Sequence, residues 1–111
     1  MGTFTKGQIV MYPFPFTNLK GRKLRPCLIL SNEMRDDILL CQLTSLGIQK
    51  DEFTVFLDKN ETVNGSLHKD SYIRCNMLFT GEKKSINFKV CSLKNEKYKE
   101  VCDKIAQIIS K

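Results

Sequence analysis

The segment from Phe14 to Asn32 does most to limit what this chain can fold into. A strand reading as Gly7 to Phe16 ends on two prolines, Pro13 and Pro15, and neither can donate to a sheet ladder. The far end of that strand therefore belongs at a sheet edge or exit. Turn formers follow at Asn18 and Gly21, so Thr17 to Leu24 reads as a loop. Arg25 precedes Pro26 and is biased toward extended backbone, which opens the continuous apolar strand Cys27 to Ser31. Along the first strand, Ile9 and Met11 face one way, with Val10, Tyr12 and Phe14 facing the other.

Charge sharpens the picture of the same segment. Lys6, Lys20, Arg22, Lys23 and Arg25 all precede Glu33, the first acidic residue, so +5 of the net +6 lies in the first 32 residues. A basic loop between two strands is a cradle suited to a phosphate backbone.

The rest of the pattern is short strands and then one helix. Glu33 to Asp37 reads as a polar turn, Ile38 to Ser45 and Phe53 to Leu57 as strands, and Gly47 to Glu52 as a polar connection. Asp58 to Gly65 reads as a turn with Asn64-Gly65 as its sharpest signal. Ser71 to Thr80 holds a further strand, and Lys84 to Ile86 reads as a short one. Tyr98, Val101, Cys102, Ile105, Ile108 and Ile109 recur at helical spacing, which predicts an amphipathic C-terminal helix with Asn95 as N-cap and Glu96 in its first turn. The expectation is a single domain over 1–111: mainly β, a small antiparallel barrel closed by a helix.

Composition then excludes several chemistries. The apolar runs are strand-sized, far below a membrane span, and the N-terminus lacks a signal-peptide core, so a cytoplasmic protein with no membrane partner is expected. Five cysteines without C-x-x-C spacing suit buried thiols in a reducing compartment rather than disulfides or zinc. His68 is the only histidine and reads as a surface residue, Asp36-Asp37 and Asp51-Glu52 lack matching ligands, and no metal or other cofactor is expected. There is no phosphate-binding glycine motif.

Arginine, lysine, hydroxyls and aromatic rings remain. Arg25 could clamp a phosphate with two parallel hydrogen bonds, or simply pair with a surface carboxylate. Thr44 and Ser45 place hydroxyls at a strand end, where they could serve a site or cap the strand. Phe14 and Phe16 could stack on bases or fill the core.

Lys6-Gly7-Gln8-Ile9-Val10, Phe14-Pro15-Phe16-Thr17 and Lys23-Leu24-Arg25-Pro26-Cys27-Leu28-Ile29-Leu30-Ser31-Asn32 closely resemble the PemK/MazF-like toxins of bacterial type II toxin-antitoxin modules. Leu43-Thr44-Ser45 and Ser71-Tyr72-Ile73-Arg74 resemble later strands of that family, so the likeness spans nearly the whole chain. It implies an SH3-like barrel of the CcdB/PemK type, usually a homodimer, that cleaves single-stranded RNA (mRNA) without metal by attack of a 2′-hydroxyl. It implies a cognate antitoxin as partner. Arg25 and Thr44 match the family's catalytic positions, while Phe14, Phe16, Thr17, Lys20, Arg22, Lys23 and Ser45 would meet the RNA. Cys27 stands where a small residue such as alanine is usual and, with Cys41, would make the site sensitive to oxidation. Two alternatives share the barrel: a non-catalytic relative that binds a protein target such as gyrase, and a degenerate RNA-binding module.

Overall fold

A computed structural model describes residues 3–15, 22–45 and 51–111. Among these residues seven strands form one sheet: β1 (Gln8–Pro15), β2 (Arg22–Ile29), β3 (Asp37–Thr44), β4 (Thr54–Leu57), β5 (Thr62–Val63), β6 (Ser71–Glu82) and β7 (Phe88–Leu93). A 3₁₀ turn, Lys83–Ser85, links β6 to β7, and helix α1 (Asn95–Ser110) closes the chain. The order across the sheet is β4-β6-β3-β2-β1-β7-β5, with every pair antiparallel. The architecture is the expected one: a curled antiparallel half-barrel with a C-terminal helix.

The continuous apolar runs have a simple cause, because both faces of the sheet are covered. Ile9, Leu28, Cys41, Leu43, Ile73 and their neighbours form one core under α1, where Val101 is fully buried and Tyr98, Ile105 and Ile108 pack. Val10, Cys27, Ile29, Ile38 and Leu40 form a second core on the opposite face, with Phe4, Tyr12, Phe79 and Ile86 packed against it. Successive residues therefore alternate between two cores, so a run such as Cys27-Leu28-Ile29 needs no polar interruption.

The prolines mark where ladders end. β1 pairs with β7 only from Gln8 to Met11, so Pro13 and Pro15 lie beyond that ladder. β2 pairs with β3 only from Cys27 to Ile29, so Pro26 also lies outside it. The ends of β1 and β2 continue together as a two-stranded ribbon, from Tyr12 opposite Arg25 to Pro15 opposite Arg22. This corrects the expected loop over Thr17 to Leu24, since Arg22, Lys23 and Leu24 are strand. Cross-strand pairing with β1 decides their conformation, and an exposed ribbon tolerates their charge. Residues 16–21 and 46–50 lie outside the described set.

Three other elements differ from the expectation. Lys84 to Ile86 is mostly the 3₁₀ turn, and the strand falls at Phe88–Leu93 instead. A bulge between Ile9 and Val10 shifts the β1–β7 register, so the strand's exposure pattern is irregular and its period was hidden. The turn over Asp58 to Gly65 contains the two-residue β5; it keeps its positive-φ pair, Asn64 at 56° and Gly65 at 127°. At α1 the N-cap is Lys94, without a side-chain capping bond, and Asn95 is already helical. Ile109, expected in the apolar stripe, is 71% exposed. Tyr98 fastens the helix instead, its hydroxyl donating to the Leu30 carbonyl at 2.8 Å.

Candidate active site beside the second core

Directly opposed residues of an antiparallel ladder project to the same face. Tyr12 on β1 opposes Arg25 on β2. The β2–β3 register ends at Cys27 opposite Gln42; continued by two residues, it sets Arg25 level with Thr44. Thr44 opposes Tyr72 on β6, and Tyr72 opposes Phe56 on β4. Tyr12 and Arg25 are thus level on β1 and β2, and Thr44, Tyr72 and Phe56 on β3, β6 and β4, with each directly paired step about 4.8 Å; the continued β2–β3 register aligns the two sets as one row. Arg25 stands two residues beyond the last β2–β3 pair, Cys27 opposite Gln42.

Burial grades along this row. Thr44 is buried, Arg25 is half-buried with its Nε enclosed, and Phe56 is 39% exposed. Lys23, two residues before Arg25 on the same face, is exposed and opposes Phe14. Arg74 occupies the same face as Tyr72, opposite Thr54. The arrangement combines a partly enclosed guanidinium, a neighbouring hydroxyl, peripheral cations and aromatic rings. Such a face can hold a phosphate by charge and hydrogen bonding and a base by stacking.

Tyr12 is fixed from behind. Its hydroxyl accepts the Glu82 N–H at 3.2 Å, and its ring meets Phe79 edge-on, centroids 5.5 Å apart. The ring lies directly over Gly81, where a Cβ would sit 2.6 Å from the hydroxyl oxygen. An isolated glycine in a strand signals such a close approach, so Gly81 was the clue in the sequence to this support.

The sequence-nominated residues divide as follows. Arg25, Thr44 and Lys23 share the row's face. Arg22 opposes Pro15 at the far end of the ribbon, and Phe14 opposes Lys23. Ser45 follows β3 on the other side of Thr44 and lines a separate cavity of about 350 Å³ with Met11, Pro26, His68 and Phe88. Phe16, Thr17 and Lys20 lie outside the described residues. Sequence reasoning did not nominate Tyr12, Phe56 or Tyr72, because an aromatic residue in a strand is ordinarily core.

The thiols near the row are withdrawn from chemistry. Cys27 and Cys41 are fully buried; burial pushes the Cys27 thiol up to about 12 and Cys41 well above its usual value of 9.0. Thiolate is the oxidisable form, so the expected oxidation sensitivity at these positions is corrected by their burial. All five cysteines are free, and Cys102 is the least buried. Among the described residues, no three His, Cys, Asp or Glu side chains converge as a metal cluster. Among them, too, no helix is long and apolar enough to cross a membrane.

Comparison with known proteins agrees with this fold. The sequence matches the family of PemK-like, MazF-like toxins of type II toxin-antitoxin systems over residues 5–109. The chain belongs to that family. A MazE-MazF structure from Deinococcus radiodurans superposes with a TM-score of 0.79 at 16% identity, covering 98% of both chains. An endoribonuclease from a mycobacterial species gives 0.75 at 15% identity, covering 99% of this chain and 94% of the other. The Mycobacterium tuberculosis toxin MazF-mt6 gives 0.73 at 19% identity, covering 93% and 96%. At these identities the structural likeness is one of fold. No curated protein sequence matches the chain.

Proposed function

We propose that this toxin is an endoribonuclease that cuts single-stranded RNA without a metal ion, with Arg25 and Thr44 at the reacting phosphate. The proposal rests on the β2–β3 register, which, continued two residues past its last pair at Cys27 and Gln42, brings Arg25 level with Thr44. Family membership supports it, as do the names of similar structures, an endoribonuclease and an endoribonuclease in complex with its cognate antitoxin. The whole chain acts as one domain, as a homodimer in the cytoplasm, restrained by an antitoxin of its own.

In the proposed reaction the ribose 2′-oxygen attacks the adjacent phosphorus and the 5′-oxygen leaves. The products are a 2′,3′-cyclic phosphate and a free 5′-hydroxyl. The 2′-hydroxyl loses its proton to a base, and the departing oxygen gains one. The Arg25 guanidinium holds the nonbridging oxygens and offsets the charge that grows on the phosphorane. A guanidinium suits that role better than proton abstraction, because it keeps its charge and presents a planar fork. Thr44 donates its hydroxyl to a nonbridging oxygen. Lys23, Lys20 and Arg22 steer the RNA, and Phe14, Phe16, Thr17 and Ser45 complete the contact surface.

Removing one such donor costs about 3 kcal/mol in the transition state, or roughly 10² to 10³ in rate. Arg25→Ala should therefore lose RNA cleavage by at least that factor while its circular dichroism and melting stay native-like. Cleavage of RNA at the wild-type rate by Arg25→Ala would refute the assignment. Wild-type activity should persist in EDTA, and its abolition by EDTA would refute the metal-independent route.

A further inference from the structure

The row continues past Thr44 onto two aromatic rings that the proposed reaction does not use. Tyr72 and Phe56 oppose each other on β6 and β4, with ring centroids 5.4 Å apart and planes tilted by 59°. Phe56 is among the exposed large apolar side chains, although the sheet has two cores that could have taken it. Its neighbours Val55 and Leu57 are buried in the core under α1, which forces Phe56 to the other face. Its backbone is held as well: the Phe56 carbonyl accepts from Lys97 Nζ at 3.1 Å. That ammonium is itself fixed by Glu100 at 2.9 Å and Glu61 at 3.3 Å. The aromatic pair is thus a backed surface, with Phe56 exposed and Tyr72 half-buried, one strand step from Thr44.

We propose that Tyr72 and Phe56 form a stacking platform for a nucleobase next to the scissile bond, and so help set which RNA sequences are cut. This rests on the endoribonuclease reading above. The distance suits it: Tyr72 is the immediate cross-strand neighbour of Thr44, so a base stacked there belongs to a nucleotide adjoining the reacting phosphate. Arg74, on the same face opposite Thr54, supplies a cation for the next phosphate along. Each ring supports the other, so neither must be ordered when RNA arrives, which favours stacking over a lone exposed side chain. A single strand fits this surface better than a duplex, whose bases are already stacked on one another.

The test uses full-length toxin and a single-stranded RNA containing its cut site, with 2-aminopurine placed on either side of the scissile bond. Tyr72→Leu and Phe56→Leu keep apolar bulk and remove the π-face. Stacking is worth about 1–3 kcal/mol per base, so each variant should raise KM about 5- to 150-fold and relax the profile of cut sites. The fluorescence quench at one of the two probe positions should disappear. The salt dependence of binding should keep its wild-type slope, because stacking releases no counterions, whereas Arg74→Ala should make the slope shallower. Unchanged KM, cut-site profile and quenching in both leucine variants would overturn the platform while leaving the cleavage assignment standing. Loss of antitoxin binding with an unchanged RNA profile would also overturn it, marking the pair as a protein-docking surface. An RNA that binds but is not cut by wild-type protein would refute the endoribonuclease reading, and quenching would still decide the platform.

Discussion

Replacing Gly81 by alanine should destabilise the fold through one identifiable ring. A Cβ at this position would lie 2.6, 2.7 and 2.9 Å from the Oη, Cζ and Cε2 atoms of Tyr12. A tyrosine hydroxyl can often swing aside, but this one accepts the Glu82 N–H, and its ring packs edge-on against Phe79. Displacing the ring forfeits about 1 kcal/mol for the hydrogen bond and about 0.5–1.5 kcal/mol for the aromatic pair. Alanine returns roughly 0.5–1 kcal/mol by restricting the unfolded chain and filling the strand. The net loss is about 1 kcal/mol, and a loss of that size lowers Tm by roughly 4–8 °C in a domain near 100 residues. Urea and thermal unfolding of Gly81→Ala, Tyr12→Ala and the double variant would measure it. With Tyr12 removed, the alanine should become neutral or slightly stabilising. An equal loss in both backgrounds would refute the steric account, as would no loss in the wild-type background. Because Tyr12 opposes Arg25, Gly81→Ala should also slow cleavage by a protein that is still folded.

The Glu33–Lys83 pair gives a pH prediction. Lys83, at 2.7 Å, and the Phe4 N–H hold the Glu33 carboxyl below its ordinary value of 4.5. A depressed carboxyl contributes stability that is present above the unfolded value and lost as pH falls through the folded one. The stability gap between wild type and Glu33→Gln, measured by urea unfolding, should therefore be open at pH 7 and close below about pH 4.5; a gap independent of pH would contradict the pairing. The thiols give another prediction. At pH 8, alkylation of native protein followed by mass mapping should modify Cys102 before Cys27 or Cys41, and early labelling of Cys27 would contradict its burial.

What was legible in the sequence was whatever one segment decides alone. Pro13, Pro15 and Pro26 placed the ends of ladders because a missing N–H is a local fact. Alternation placed Ile9 and Val10 on opposite faces, and the 3.6-residue period gave α1 its buried side at Val101. Features that depend on a distant partner were hidden. Arg22 to Leu24 become strand because β1 pairs with them, and β7 was obscured by a bulge set by β1. The candidate site was half visible: Arg25 and Thr44 stood out by residue type and family likeness. Nothing local could show that Tyr12, Tyr72 and Phe56 stand level with them, because register arises only when five strands pair.

The same register would let one narrow row serve both the proposed chemistry and the proposed recognition. The ribbon of β1 and β2 carries the cations, and its ladder with β3 ends at Cys27, two residues from Arg25. Past that ladder end, β3, β6 and β4 remain paired, so Thr44, Tyr72 and Phe56 are held by continuous sheet. In the proposed reaction a phosphate beside Arg25 would meet charge on one side and a fixed surface on the other. Electrostatic attraction is long-ranged and tolerant of position, which suits a ribbon at the edge of the sheet. Stacking and in-line attack tolerate little displacement, which suits the paired strands. Substitutions in the ribbon's lysines should consequently alter association and its salt dependence, whereas substitutions on β3, β4 and β6 should alter which bond is cut and how fast.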